Sequence, residues 1–208
     1  YKYDDDTNNW IQLGLDIDGE AKDDYAAVVS LSEDGSTVAI GAWGNDGKPE
    51  LHGDKVGHVR IYKYDTDSSS WSQLGLDIDG EATRDRFGRA LSLSADGNIV
   101  AVGGFANDGG GWDAGHTRVF QYIKNSNSWS QLGADIDGEG VGDRSGISVS
   151  ISADGSRVAI GAYFNDDAGN NAGHVRIYKY DEDTNNWIQL GLDIDGEAKD
   201  DYAAVVSL

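Results

Sequence analysis

Carboxylates recur in this chain at a spacing that could hold a cation. Asp16, Asp18, Glu20 and Asp24 are followed by Asp77, Asp79, Glu81 and Asp85, and then by Asp135, Asp137, Glu139 and Asp143. Each set is a DIDGE stretch, or in the third case DIDGEG, plus one acid a few residues on. Acids at i, i+2 and i+4 with a glycine for the turn resemble the start of a calcium loop, because Ca²⁺ takes about six to eight oxygens from a flexible backbone. The same side chains could instead cap backbone N–H groups in a solvated connection. The twelve-residue EF-hand pattern is not met, which favours the capped turn. Ca²⁺ is the one cofactor these loops suggest, and no other is indicated.

Other residue types repeat in the same way. His58, His116 and His174 each follow a glycine. In a ring they would sit a blade apart, so they read as a structural position and not as one zinc site. Trp10, Trp71, Trp129 and Trp187 read as packing between repeats. Trp43, Phe105 and Tyr163 open loops that vary in length, with Asp46, Asp108 and Asp166 close behind. Variable loops on a repeat scaffold are where ligands usually dock, so these six are the candidates for ligand contact. No nucleophile elbow, phosphate loop or His–Ser or His–Cys pairing is present. Acid pairs of the kind used in glycoside hydrolysis occur among so many carboxylates. Their near-identity from repeat to repeat points to scaffold, so an enzyme is not expected.

The elements that position these residues follow from the repeat. The stretches starting at Trp10, Trp71, Trp129 and Trp187 lie 58 to 61 residues apart. Such a period indicates repeat architecture. Repeats run over roughly 10–70, 71–128 and 129–186, with a partial one at 187–208. Each holds four strand-like pieces. "YAAVVSLS", "FGRALSLS" and "SGISVSIS" come first, and "STVAIGA", "NIVAVGG" and "SRVAIGA" follow an Asp-Gly turn, a strong hairpin signal. "GHVRIYKY" and "GHTRVFQY" form the third piece, and the Trp segment is the fourth. The second piece is almost wholly small or β-branched, as for a strand buried on both faces. Nothing keeps a helical i, i+3, i+4 pattern. Four antiparallel strands per repeat is a β-propeller blade. The expected fold is therefore all-β, about three and a half blades of one propeller region, part of a larger ring or array.

At this point the residues resemble a family. "DRFGRALSLSADGNIVAVGGFANDGGGWDAGHTRVFQY" (Asp85–Tyr122) is similar to an FG-GAP-type repeat, the blade of integrin α-subunit propellers. The third repeat has Ser145-Gly146 for Phe87-Gly88, and the first lacks the dipeptide. The resemblance implies an extracellular or cell-surface module that binds protein or glycan partners. Its usual calcium turn is not matched here, because "SEDGS", "SADGN" and "SADGS" offer too few oxygens.

Composition bounds the partners. The formal net charge is −21, from 16 Lys and Arg against 37 Asp and Glu. Such a surface repels phosphate backbones and anionic lipid, so no nucleic acid and no membrane insertion are expected. Cys and Met are both absent. Residues 10–31 recur unchanged at 187–208, which reads as the start of a further copy in a tandem array. The expected function is a non-enzymatic structural or adhesive building block, associating with itself or with neighbouring repeats. The alternatives are a Ca²⁺-dependent lectin-like or protein-binding module at the loop face, and a propeller glycosidase.

Overall fold

The computed structural model describes residues 1–47 and 54–208. It is all-β, and no helix among the described residues is long and apolar enough to cross a membrane. An N-terminal hairpin, β1 (Lys2–Asp4) and β2 (Asn9–Ile11), precedes three blades. The first blade is β3 (Ala26–Leu31), β4 (Thr37–Ala42), β5 (His58–Asp65) and β6 (Ser70–Gln73), with β7 (Ile78–Asp79) behind it. The second is β8 (Ala90–Leu93), β9 (Ile99–Gly104), β10 (His116–Ile123) and β11 (Ser128–Gln131), then β12 (Ile136–Asp137). The third is β13 (Ser148–Ile151), β14 (Arg157–Ala162), β15 (His174–Asp181) and β16 (Asn186–Gln189), then β17 (Ile194–Asp195). All pairings within the blades are antiparallel and follow chain order.

Two details differ from the sequence expectation. The "ID" of the DIDGE stretches at 77–81, 135–139 and 193–197 is a short fifth strand beside the start of the third, as in Thr117↔Ile136 and His116↔Asp137, whereas Ile17 and Asp18 lie outside any strand. Residues 203–208, expected as a further first strand, are not assigned as one. They still dock on the third blade, where Val206 N and Leu208 N donate to the Ser148 and Ser150 hydroxyls. Without a second strand of their own they have no ladder to complete.

The core lies between blades, not within them. Ala39, Val59 and Ile61 of the first blade pack with Leu91, Val100, Val102 and Phe120 of the second. Ala101 and Val119 of the second pack with Ile151, Val158 and Ile160 of the third. The second strands are buried on both faces as their composition requires. First strands of successive blades lie side by side and are tied through serines. Leu93 N donates to Ser30 Oγ at 3.0 Å, and Ile151 N to Ser92 Oγ at 3.1 Å.

Close approach at these seams explains the glycines of "VAVGG" and "SG". A Cβ on Gly103 would lie 1.9 Å from the Gly146 carbonyl oxygen. Gly146 N in turn donates to the Gly161 carbonyl at 3.1 Å.

Candidate functional site

The connection into each first strand makes one recurring turn. An aspartate closes it: Asp24, Asp85, Asp143 and Asp201 each accept one or two backbone N–H bonds from three or four residues back in the loop. The residue after that aspartate has positive φ in every copy: Tyr25, Arg86, Arg144 and Tyr202. The turn is thus the same, while the side chain it aims changes. The outer copies carry tyrosine and the middle two carry arginine. Position 84 adds a third arginine, where the first copy has Asp23.

These arginines meet at one cavity of about 520 Å³ on the loop face. Arg84, Arg86 and Arg144 line it, with Trp112 and the carboxylates of Asp54, Asp108 and Asp113. Phe105 is buried beneath and orients two of them. The Arg86 guanidinium lies 5.3 Å from its ring centroid and that of Arg144 5.8 Å. Stacking on an aromatic face is a favourable seat for a planar guanidinium. Arg144 also stacks over Phe164 at 4.8 Å and donates to the Tyr163 hydroxyl at 3.2 Å. Its Nη2 is 3.8 Å from Asp113. Arg84 is exposed and loosely paired with Asp54 at 3.9 Å. Trp112 stands largely exposed at the rim, 69% accessible, which leaves an indole face free to meet a ring. Chemically, the site offers forked cations for a carboxylate or phosphate, an aromatic platform, and carboxylates that can take a proton.

Of the ligand candidates named from the sequence, Asp108 lines this cavity. Phe105 and Tyr163 support its arginines from below and beside. Asp166 lines a smaller adjoining cavity of about 280 Å³ that shares Trp112, Asp113 and Arg144. Trp43 and Asp46 lie outside it, one blade back. Trp43 is stacked on Tyr25 at 4.8 Å and Asp46 accepts from Lys55 N. Arg84, Arg86, Arg144 and Trp112 were not singled out from the sequence. The available signal was the break in repeat symmetry at 84, 86 and 144.

The DIDGE carboxylates are divided among different tasks. The first Asp of each set accepts from a glutamine four residues earlier: Gln12 to Asp16, Gln73 to Asp77, Gln131 to Asp135. The second contributes its backbone carbonyl to an arginine of the next blade: Asp18 to Arg60, Asp79 to Arg118, Asp137 to Arg176. The Glu pairs with that same arginine, Glu20 with Arg60 at 3.4 Å, Glu81 with Arg118 at 3.3 Å and Glu139 with Arg176 at 3.1 Å. Asp24, Asp85 and Asp143 close their own turns, as above. Each buried His faces the first Asp of the set that follows it: His58 with Asp77 at 3.8 Å, and His116 with Asp135 at 3.7 Å. The His116 contact, with Gln131 and Arg118 beside it, holds the Asp135 carboxyl at about 2, below the usual range.

No family model matches the chain, and no curated protein matches it. Solved structures share its fold. A protein of Bacteroides fragilis described as a candidate 6-phosphogluconolactonase aligns with TM-score 0.55 and 13% identity, over 94% of this chain and 47% of that one. A protein of the same description from Bacteroides uniformis aligns with TM-score 0.56 and 16% identity, over 88% and 44%. A protein of Lactobacillus plantarum aligns with TM-score 0.52 and 18% identity, over 85% and 44%. At these identities the likeness establishes the β-propeller fold. The chain spans less than half the length of these proteins.

Two expectations are corrected by these findings. The FG-GAP-type resemblance does not hold: two solved structures that share the β-propeller fold are described as candidate 6-phosphogluconolactonases, and no family model matches the chain. The short signals that suggested it, a glycine at the seam and an Asp-Gly hairpin, are what any tightly packed four-stranded blade requires. The non-enzymatic structural or adhesive reading is overturned with it, since the two Bacteroides proteins that share this fold are described as enzymes. Symmetry is also broken where a ligand site would break it, at the arginine cavity.

Proposed function

We propose that the arginine cavity binds a small anionic sugar derivative, and that the propeller to which the chain belongs hydrolyses a lactone of that class. The observation that carries this reading is the convergence of Arg84, Arg86 and Arg144 on one cavity in a chain of net charge −21. Guanidinium groups concentrated against such a background select for an anion. Trp112 supplies a face for a sugar ring.

The chemistry follows from the donor set. Water attacks the lactone carbonyl while Asp108 or Asp113 takes its proton. A guanidinium that is not holding the ligand's own anion stabilises the oxyanion. The ring C–O bond then breaks, the departing oxygen is protonated, and the product is the open-chain hydroxy acid. Arg144 suits the oxyanion role because Phe105, Phe164 and Tyr163 fix it, and Arg84 suits the outer anion because it is exposed. The names of the fold neighbours support 6-phosphogluconolactone as the substrate to try first.

The test is a pH-stat assay at neutral pH on 6-phosphogluconolactone and on unphosphorylated gluconolactone. The reading expects hydrolysis above the spontaneous rate, faster for the phosphorylated compound, and a loss of at least tenfold in Asp113→Asn combined with Asp108→Asn. Rates equal to the buffer blank with both compounds would overturn it.

A further inference from the structure

We infer that Asp167, His174, Asp193 and Glu139 form a site for a divalent first-row transition metal, separate from the arginine cavity and independent of the lactone reading. Each of the four places one potential ligand atom so that all lie within 4.8 Å of one another. Three carboxylates and one imidazole are a mixed oxygen and nitrogen set, which suits Zn²⁺ or Mn²⁺ better than the all-oxygen cage Ca²⁺ prefers.

An unpartnered buried group points into the cluster. His174 is 1% exposed, and its Nδ1 makes no hydrogen bond. It lies 3.4 Å from Asp193 Oδ2. Donors around a tetrahedral ion with bonds of about 2.1 Å stand about 3.4 Å apart, so the spacing is that of two ligands on one ion. A buried imidazole nitrogen left without a partner is otherwise destabilising.

The carboxylates are held from outside. Gln189 Nε2 donates to Asp193 Oδ1 at 2.6 Å, leaving Oδ2 toward the imidazole. Arg176 Nη1 engages Glu139 Oε1 at 3.1 Å, and Asn165 Nδ2 reaches Asp167 Oδ2 at 3.5 Å. Each carboxylate thus has a neighbouring donor beside it, the arrangement by which outer partners orient metal ligands. Three carboxylates beside Arg176 leave an excess of negative charge of about −2, which a divalent ion neutralises.

The third repeat is singled out by sequence. The first two repeats form the smaller sets Glu20, His58, Asp77 and Glu81, His116, Asp135. At the position of Asp167 they carry Gly47 and Gly109. Among the described residues the fourth ligand therefore occurs in this blade alone, and glycine is tolerated there by the same loop start.

The test is isothermal titration of the 208-residue chain with ZnCl₂, for wild type, Asp167→Gly and His174→Gln, each checked by thermal melting. The inference expects one tight Zn²⁺ per chain, at least tenfold weaker in both variants, and intense visible absorption when Co²⁺ replaces Zn²⁺. Asp167→Gly should melt like wild type without metal, which keeps the test valid if His174→Gln fails to fold. Unchanged affinity in Asp167→Gly, three equivalent Zn²⁺ per chain, tighter binding of Ca²⁺ than of Zn²⁺, or no binding at all would each overturn it.

Discussion

The indole Nε1 of Trp129 donates to the backbone carbonyl of Leu74 at 2.7 Å, across 55 positions of sequence and the seam between two blades. The bond recurs as Trp71 to Leu13 and Trp187 to Leu132, both at 2.8 Å. Each blade thus fastens its last strand to the connection leaving the previous one. Trp129→Phe keeps an aromatic six-membered ring but loses the pyrrole ring with its donor, leaving the Leu74 carbonyl without this partner. We expect a loss of about 1–2 kcal/mol in urea unfolding. Trp10 is exposed and has no such bond, so Trp10→Phe should change stability by less than about 0.5 kcal/mol.

The seam glycines set a second expectation. Gly103→Ala drives a Cβ into the Gly146 carbonyl at 1.9 Å, with backbone on both sides and nothing that can rotate away. Blades must separate, at a cost of about 3 kcal/mol or more. Gly35→Ala meets nothing within 4 Å and is penalised only by its φ of +68°, about 1 kcal/mol. Comparing the two variants by denaturant midpoint checks the assignment.

Much of this was legible in the sequence and some was not. The period between tryptophans, the Asp-Gly hairpins and the apolar second strands give the blades directly, because each is a local rule repeated three times. The short strands at Ile78–Asp79, Ile136–Asp137 and Ile194–Asp195 were missed. Two residues carry no periodicity, and their pairing depends on the neighbouring strand's start. The DIDGE acids are adjacent in sequence, where a capped turn and a calcium loop share one pattern. In space they are shared between a glutamine and histidine of one blade and an arginine of the next. Arg84, Arg86 and Arg144 carry no repeat signal, because this site lies where the repeat is broken.

A pH dependence follows from Asp135. Its carboxyl titrates at about 2 in the folded chain against 3.8 ordinarily. A depressed folded value favours the ionised, folded form, so this stabilisation is complete above about pH 4 and is lost as pH falls through about 2. Solvent screening reduces its size to about 1 kcal/mol. Asp135→Asn should therefore flatten the acid limb of stability against pH by that amount. An unchanged acid limb would show that the His116 and Arg118 contacts do not bias the carboxyl.

The central claim is that the arginine cavity recognises a small sugar-derived anion. Isothermal titration with 6-phosphogluconate, the hydrolysis product and therefore a stable probe, tests it most directly. The account predicts saturable binding at one site, weakened at least tenfold in Arg144→Ala and in Arg86→Ala, and unchanged in Lys124→Ala, which does not line the cavity. Absence of binding to the wild-type chain, or binding that survives both arginine substitutions undiminished, would contradict it.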